Sequence, residues 1–153
     1  MQKLLALIAA PLLIPVQVHA AEFQLASAAN GTHQGLPYEM VISHGCPYSY
    51  DGVTDVVERV FNRKGINPLW QSGAPLASTS IYLSINVECV GVTERNSSYS
   101  TTVEFARYDE SQLQHDTNYG KDGYGSDRLF KRRLSESVEE ALNNFMSMNN
   151  NLG

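Results

Sequence analysis

The chain has 153 residues, of which 42% are hydrophobic and 18% are charged, and its formal net charge is −5 at pH 7. This length is sufficient for one domain with a substantial core. The acidic balance argues against a sequence-independent nucleic-acid binder, because such proteins need a basic surface.

Residues 1–20 have the features of a secretory signal peptide. Lys3 supplies the positive charge, and the apolar residues 4–14, about eleven in number, are too few to span a bilayer. Small residues within 18–20 suit a signal peptidase, so we predict cleavage after Ala20. A retained anchor is the alternative. We expect a periplasmic or secreted protein with no membrane span, and with no lipid anchor, since no cysteine lies at the predicted cleavage site.

The two cysteines of the chain, Cys46 and Cys89, both follow the predicted signal peptide. An even number of cysteines in an exported chain predicts a disulfide. The bridge closes a loop of about 43 residues and contributes on the order of 3–4 kcal/mol. A metal site that adds His44 and His115 is the alternative, but the spacing of His44 and Cys46 is not that of usual zinc ligands. We therefore predict a disulfide and no metal.

The first half of the predicted domain contains one strand and one helix. Residues 21–35 are poor in large apolar side chains and predict a flexible lead-in, and 38–44 predict a strand. A helix is predicted over 51–64, with Asp51 as its N-cap and Gly65 just beyond its C-terminal end. Its apolar residues recur at helical spacing: Val53, Val56, Val57, Val60 and Phe61.

Residues 79–92 predict the central strand of the domain, because apolar and polar side chains alternate along it. A turn over 94–98 and a strand over 100–108 complete an antiparallel hairpin. If 79–92 pairs directly with the first strand, the two are parallel, because a helix connects them. In the connection before 79–92, Trp70 either covers one end of the core or serves as an exposed anchor for a partner.

Residues 109–125 form the longest polar segment and predict a loop that is functional or mobile. They are followed by a predicted helix over 126–149, with Ser126 as its N-cap and a frayed end at 150–153. Its first two turns carry four cations, where the helix dipole disfavours positive charge. Its apolar stripe consists of Phe130, Leu134, Val138, Ala141, Leu142, Phe145 and Met146.

We find no catalytic motif in the sequence and predict no catalytic residues. The histidines after the signal peptide, His33, His44 and His115, belong to no recognisable triad or metal motif. A small hydrolase that uses His115 with the nearby loop carboxylates is one alternative, the carboxylates being Asp109, Glu110 and Asp116. A carrier with a small-ligand pocket between helices and sheet is another.

The glycine-rich segment beside the basic helix start is the predicted binding surface. Its Lys121 lies too early for a phosphate-binding loop, so we predict no nucleotide and no other cofactor. An acidic group of a partner suits this surface better. The predicted binding residues are Trp70, Tyr119, Lys121, Tyr124, Arg128, Arg132 and Arg133.

The sequence predicts one α+β domain over 36–149, with elements in the order β-α-β-β-α and one disulfide. An antiparallel-rich sheet of three to four strands is expected, with two helices packed on one face. The function that we predict is non-enzymatic docking on another envelope or secreted protein, as in inhibitors, immunity proteins or secretion accessories. This prediction depends on architecture and on the absence of a catalytic set.

Overall fold

A computed structural model describes residues 35–70, 81–91, 96–109, 112–115 and 117–150. The predicted signal peptide, nearly all of the predicted lead-in, and residues 151–153 lie outside this part of the chain. The elements are β1 (Leu36–Ile42), α1 (Tyr50–Arg63), β2 (Pro68–Trp70), β3 (Ile81–Val90), β4 (Ser97–Asp109), β5 (Gln112–His115), β6 (Gly123–Gly125) and α2 (Asp127–Asn150).

The strands form a mixed sheet in the order β2-β1-β3-β4-β5, and β6 also pairs with β4. β1 is parallel to both β2 and β3, as a helical connection between β1 and β3 requires. β4 is antiparallel to β3, β5 and β6, so the predicted hairpin of β3 and β4 is confirmed.

The predicted number of three to four strands is too low, since six strands are described. The sheet was expected to be antiparallel-rich, and it is mixed, with parallel pairs as well as antiparallel ones. β2 lies in the predicted connection, while β5 and β6 lie in the predicted polar loop. These strands have three or four residues, which is too short for alternation to be visible in a sequence. They form because each finds a neighbouring strand for its main-chain hydrogen bonds.

The core lies between one face of the sheet and the two helices, which confirms the predicted layers. On β3 every second residue is buried on this face, from Ile81 to Val87, and on β4 Val103 and Phe105 continue it. All five apolar residues predicted for α1 are buried, and Phe130 and Leu134 of α2 are inaccessible to solvent. On the opposite face of β3, Ser84, Asn86 and Glu88 are polar, as expected for a face without helices, whereas Tyr82 and its partner Ala106 on β4 are buried.

The ends of α1 follow capping rules, although the predicted N-cap is wrong. Ser49, and not Asp51, caps the helix, and its hydroxyl accepts a hydrogen bond from the Gly52 amide at 3.1 Å. Asp51 is in the first turn, where its charge still suits the helix dipole. Gly65 has the predicted left-handed conformation, with a φ of 70°. The Ile66 amide donates to the Phe61 carbonyl at 3.0 Å, which completes a Schellman motif.

The predicted disulfide is confirmed: Cys46 and Cys89 are bonded, with 5.2 Å between their Cα atoms. The bridge joins the loop before α1 to the end of β3. A disulfide fits a protein that folds outside the reducing cytoplasm. Among the described helices, none is long and apolar enough to cross a membrane.

Candidate functional site

Residues 118–121 lie along the edge of β4, between the parts of β4 that pair with β5 and with β6. The Tyr119 amide donates to the Val103 carbonyl at 2.7 Å, and the Val103 amide donates to Asn118 Oδ1 at 3.0 Å. Thr101 Oγ1 accepts from the Lys121 amide and donates to its carbonyl, both at 2.8 Å. The described part of the predicted loop is therefore fixed to the sheet, and it carries the chain to the start of α2.

Two glycines of β6 allow this strand to approach α2 and β4 closely. A Cβ atom on Gly123 would overlap the Tyr99 hydroxyl. A Cβ atom on Gly125 would lie 2.7 Å from Cδ2 of Leu129, and the φ of Gly125 is 155°. The approach brings β6 against Leu129 in the first turn of α2.

An aromatic cluster packs against Phe130 in the first turns of α2. The Tyr48 ring stacks on Phe130 with 3.7 Å between ring centroids, and Tyr99 meets Phe130 edge-on at 5.2 Å. The hydroxyls of Tyr48 and Ser97 are hydrogen-bonded at 2.5 Å. Burial raises the pKa values of Tyr48 and Tyr99, while the positive charges of Arg133 and Arg132 partly oppose the rise at Tyr99. The cluster fixes the helix at the point where its cations begin.

A surface cavity of about 240 Å³ lies at this helix start and is lined by Ser126, Arg128, Leu129 and Arg132. We call it the arginine cleft. Arg132 is open to solvent, with 64% of its side chain exposed, and its Nε is 3.8 Å from a Glu136 carboxylate oxygen. Arg128 is also exposed and forms no ion pair within the described residues. The cleft thus presents two guanidinium groups one helical turn apart, of which Arg128 has no ion pair among the described residues and Arg132 has Glu136 at 3.8 Å.

The structure brings together only some of the predicted binding residues. Arg128 and Arg132 share the cleft, and Arg133 is adjacent in α2, 3.7 Å from Glu136. Tyr119 and Lys121 face the second half of α2 instead. The Tyr119 hydroxyl accepts a hydrogen bond from the Asn144 amide group, and Lys121 Nζ is 3.4 Å from Glu140.

Neither Tyr124 nor Trp70 lines the arginine cleft. Tyr124 is 62% exposed and is paired with Ser98, which is on the sheet face without helices. Trp70 is in β2 at the opposite edge of the sheet, with its ring centroid 5.1 Å from that of Tyr38 and 5.5 Å from that of Tyr50. Trp70 packs against these two rings, as expected for a residue that covers one end of the core, and it is also 39% exposed. Its role as an anchor for a partner stays a prediction.

Sequence reasoning did not identify Leu129 and Ser126 as cleft residues. Ser126 was expected only to cap α2, and its carbonyl does accept the Phe130 amide at 3.0 Å. Leu129 falls outside the apolar stripe of α2. A large apolar residue off the stripe and next to an arginine is the signal that could have identified this position.

The alternative sites remain predictions. His33 lies outside the described residues, as do Glu110, Asp116 and the side chains of Asp109 and His115, on which the hydrolase hypothesis depends. In the part of the chain that the structure describes, no three His, Cys, Asp or Glu residues are grouped as metal ligands. Where the carrier hypothesis expects a pocket, the described side chains of the helices and the sheet are packed together in one core.

No model of a protein family matches this chain, and a search of curated proteins found no significant match. Among solved structures, the chain is similar to rare lipoprotein B from Shewanella oneidensis, with 14% identity, a TM-score of 0.38, and coverage of 76% of this chain and 98% of that one. It is also similar to the hypothetical protein CT253 from Chlamydia trachomatis, with 7% identity, a TM-score of 0.33, and coverage of 74% and 94%.

A third similar structure is a minor lipoprotein from Acinetobacter baumannii, with 7% identity, a TM-score of 0.29, and coverage of 75% of this chain and 91% of that one. Similarities at these TM-scores are too low to transfer a function to this chain.

Proposed function

We propose that this protein is a non-enzymatic binding protein of the bacterial periplasm or exterior, which docks on another protein through the start of α2. The observation that supports the proposal is the arginine cleft, where Arg128 and Arg132 line a cavity. Arg128 has no ion pair among the described residues, and the ion pair of Arg132 with Glu136 is long, at 3.8 Å. Arginine is enriched in protein interfaces because its planar group forms several directed hydrogen bonds.

The position of these cations within the helix also favours a role in binding. Positive charges near a helix N-terminus are unfavourable by typically 0.3–1 kcal/mol each, so Arg128 and Arg132 do not stabilise α2 through its dipole. Arg128 has no compensating ion pair among the described residues, whereas Arg132 has Glu136 at 3.8 Å. Residues that oppose a local stability rule without such a contact are often functional. Lys131 differs in this respect, because its Nζ is 2.8 Å from the Asp127 carboxylate.

The predicted signal peptide and the disulfide support the exported location of the proposal. A bridge between Cys46 and Cys89 needs an oxidising compartment to persist. We propose further that the mature protein carries no lipid anchor, since no cysteine lies at the predicted cleavage site after Ala20.

Charge reversal tests this function by capture of partners from envelope extracts. We expect Arg128→Glu and Arg132→Glu each to lose the partner that the wild type retains, because a carboxylate in the cleft repels an acidic group. Arg59→Glu is the matched control, since Arg59 is an exposed cation on α1 with no ion pair among the described residues. Capture that is equal in all four proteins would show that the cleft is not the docking surface.

Two further variants separate the other predicted binding residues from the cleft. Tyr124→Ala probes the sheet face without helices, and Trp70→Ala probes the edge at β2. We expect both variants to retain the partner. Loss of the partner with Trp70→Ala and not with Arg132→Glu would move the docking surface to the opposite edge of the sheet.

A further inference from the structure

We infer that the arginine cleft binds one carboxylate group, supplied by an acidic residue with an apolar neighbour in an exposed segment of the partner. This inference rests on the proposed docking function and specifies the chemistry of the partner. Arg128 and Arg132 are the donors to the carboxylate, and Leu129 contacts the apolar neighbour.

The spacing of the two arginines suits a single small anion. Residues four apart on a helix are neighbours, with about 5–6 Å between their Cβ atoms. The guanidinium groups of two such neighbouring side chains can donate to the two oxygens of one carboxylate, and the planar guanidinium is well matched to carboxylate geometry. The cleft volume of about 240 Å³ is below the roughly 300–1,000 Å³ of pockets for drug-sized ligands, so one side chain fits better than a large ligand.

The ion pairs around the cleft leave room for an incoming carboxylate. Glu136 is shared between Arg132 and Arg133 at 3.8 and 3.7 Å, whereas strong charge-assisted hydrogen bonds measure roughly 2.7–2.9 Å. A partner carboxylate that approaches Arg132 more closely would therefore form the stronger bond. Arg128 needs no such exchange, since it has no ion pair among the described residues.

The local charge favours an anion, so phosphate is the ligand that competes most directly with a carboxylate. Residues 127–136 contain four cations and two carboxylates, and Lys131 is already paired with Asp127. Four positive and two negative charges leave this segment with a net charge of +2, which attracts an anion. A dianion would be attracted more strongly by the arginines but would also lie near the carboxylates of Asp127 and Glu136, which oppose it.

Leu129 adds an apolar contact surface to the arginine cleft. It is a partly exposed apolar side chain between the two arginines in sequence, and it lines the same cavity. Its Cδ2 atom is positioned close to Gly125 of β6, so the side chain has little freedom to move toward the strand. An apolar residue next to the acidic one would cover Leu129 and remove it from water.

Binding of short capped peptides to the full, oxidised protein tests this inference. The probe is an N-acetylated, C-amidated peptide with Glu-Leu at its centre and serine and glycine on both sides. We expect saturable amide shift changes at 126–132 in NMR titration. Replacement of Glu by Gln in the peptide should weaken binding by at least about tenfold, because the charge-assisted hydrogen bonds are lost. Replacement of Leu by Gly should weaken it less.

Protein variants locate the interaction. Arg132→Ala and Arg128→Ala should each weaken the Glu-Leu peptide by about tenfold or more, with unchanged circular dichroism, while Arg59→Ala retains wild-type affinity. Arg132→Lys keeps the charge but loses the planar group, so it should give intermediate affinity. Equal affinity for the Glu and Gln peptides, or equal affinity of Arg128→Ala and wild type, would overturn the assignment.

Inorganic phosphate and phosphatidylglycerol vesicles are the competing probes. If either binds at the cleft and the Glu-Leu peptide does not, the carboxylate assignment is wrong. The two proposals fail in distinguishable ways. Loss of the natural partner on Arg132→Glu without peptide binding would overturn the carboxylate inference alone. Peptide binding without any effect of Arg132→Glu on partner capture would overturn the proposed docking function.

Discussion

Removal of the disulfide should destabilise the domain strongly. The bridge joins residues 43 positions apart, and the chain-entropy model assigns a loop of that length about 4 kcal/mol at 25 °C. Unfolding of a domain of roughly 115 residues has an entropy that converts this into a fall of about 15 °C in Tm. Since small domains have a total stability of about 5–15 kcal/mol, the Cys46→Ala/Cys89→Ala variant should be much closer to unfolding than the wild type.

Urea unfolding, followed by circular dichroism, measures this effect. The double variant should show a lower midpoint and a larger m value, because its unfolded chain is less constrained and exposes more surface. Dithiothreitol should reduce the stability of the wild type and leave the variant unchanged, which controls for other effects of the reagent. A loss of less than about 1 kcal/mol in the variant would refute the reasoning that loop closure stabilises this domain.

Three further predictions concern the sheet edge and the aromatic cluster. Gly120→Ala should lower the free energy of unfolding in urea by about 1–3 kcal/mol, because its Cβ atom would overlap the Thr101 carbonyl. The exposed control Asp122→Ala should change stability by less than about 0.5 kcal/mol. Equal effects of the two substitutions would contradict the placement of this segment on β4. Tyr48→Phe should cost about 1–3 kcal/mol, because Ser97 Oγ is left buried without its partner, and an unchanged unfolding midpoint would contradict that hydrogen bond. The pKa values of three buried tyrosines are raised by burial, so the stability they confer is complete below about pH 10, where unfolded tyrosine titrates, and is lost as the pH rises toward their folded pKa values. These are Tyr38, Tyr48 and Tyr99. Tyrosinate absorbance should therefore rise in two stages with pH, the second coinciding with loss of circular dichroism; one stage near pH 10 with the fold intact would contradict their burial.

The sequence predicts those parts of the fold in which local signals agree. In α1 the apolar spacing, the C-terminal glycine and the polar start all indicate one helix, and its ends differ from the prediction by one residue. The sequence predicts Asp51 as the N-cap, and only the three-dimensional structure shows that Ser49 accepts the Gly52 amide. In β3 the alternation of buried and polar residues was visible because ten residues sample it.

The arrangement of the candidate site was only partly predictable. The excess of cations at the start of α2 is visible in the sequence, and two of those arginines line the cleft. The partners of Tyr119 and Lys121 on α2 depend on tertiary packing, which no local pattern encodes. The face on which Tyr124 lies depends on its register with Ser98, and a shift of one residue would place it on the other face.

The docking surface itself can be tested directly by photo-crosslinking in the native host. A photoreactive amino acid would replace Ser126 at the arginine cleft, Tyr124 on the sheet face without helices, or Trp70 at the edge of the sheet formed by β2. The proposed function predicts a partner protein captured from position 126, which disappears when Arg132→Glu is introduced, and no such capture from position 70. Capture of a partner from position 70, with none from position 126, would contradict the assignment of docking to the cleft.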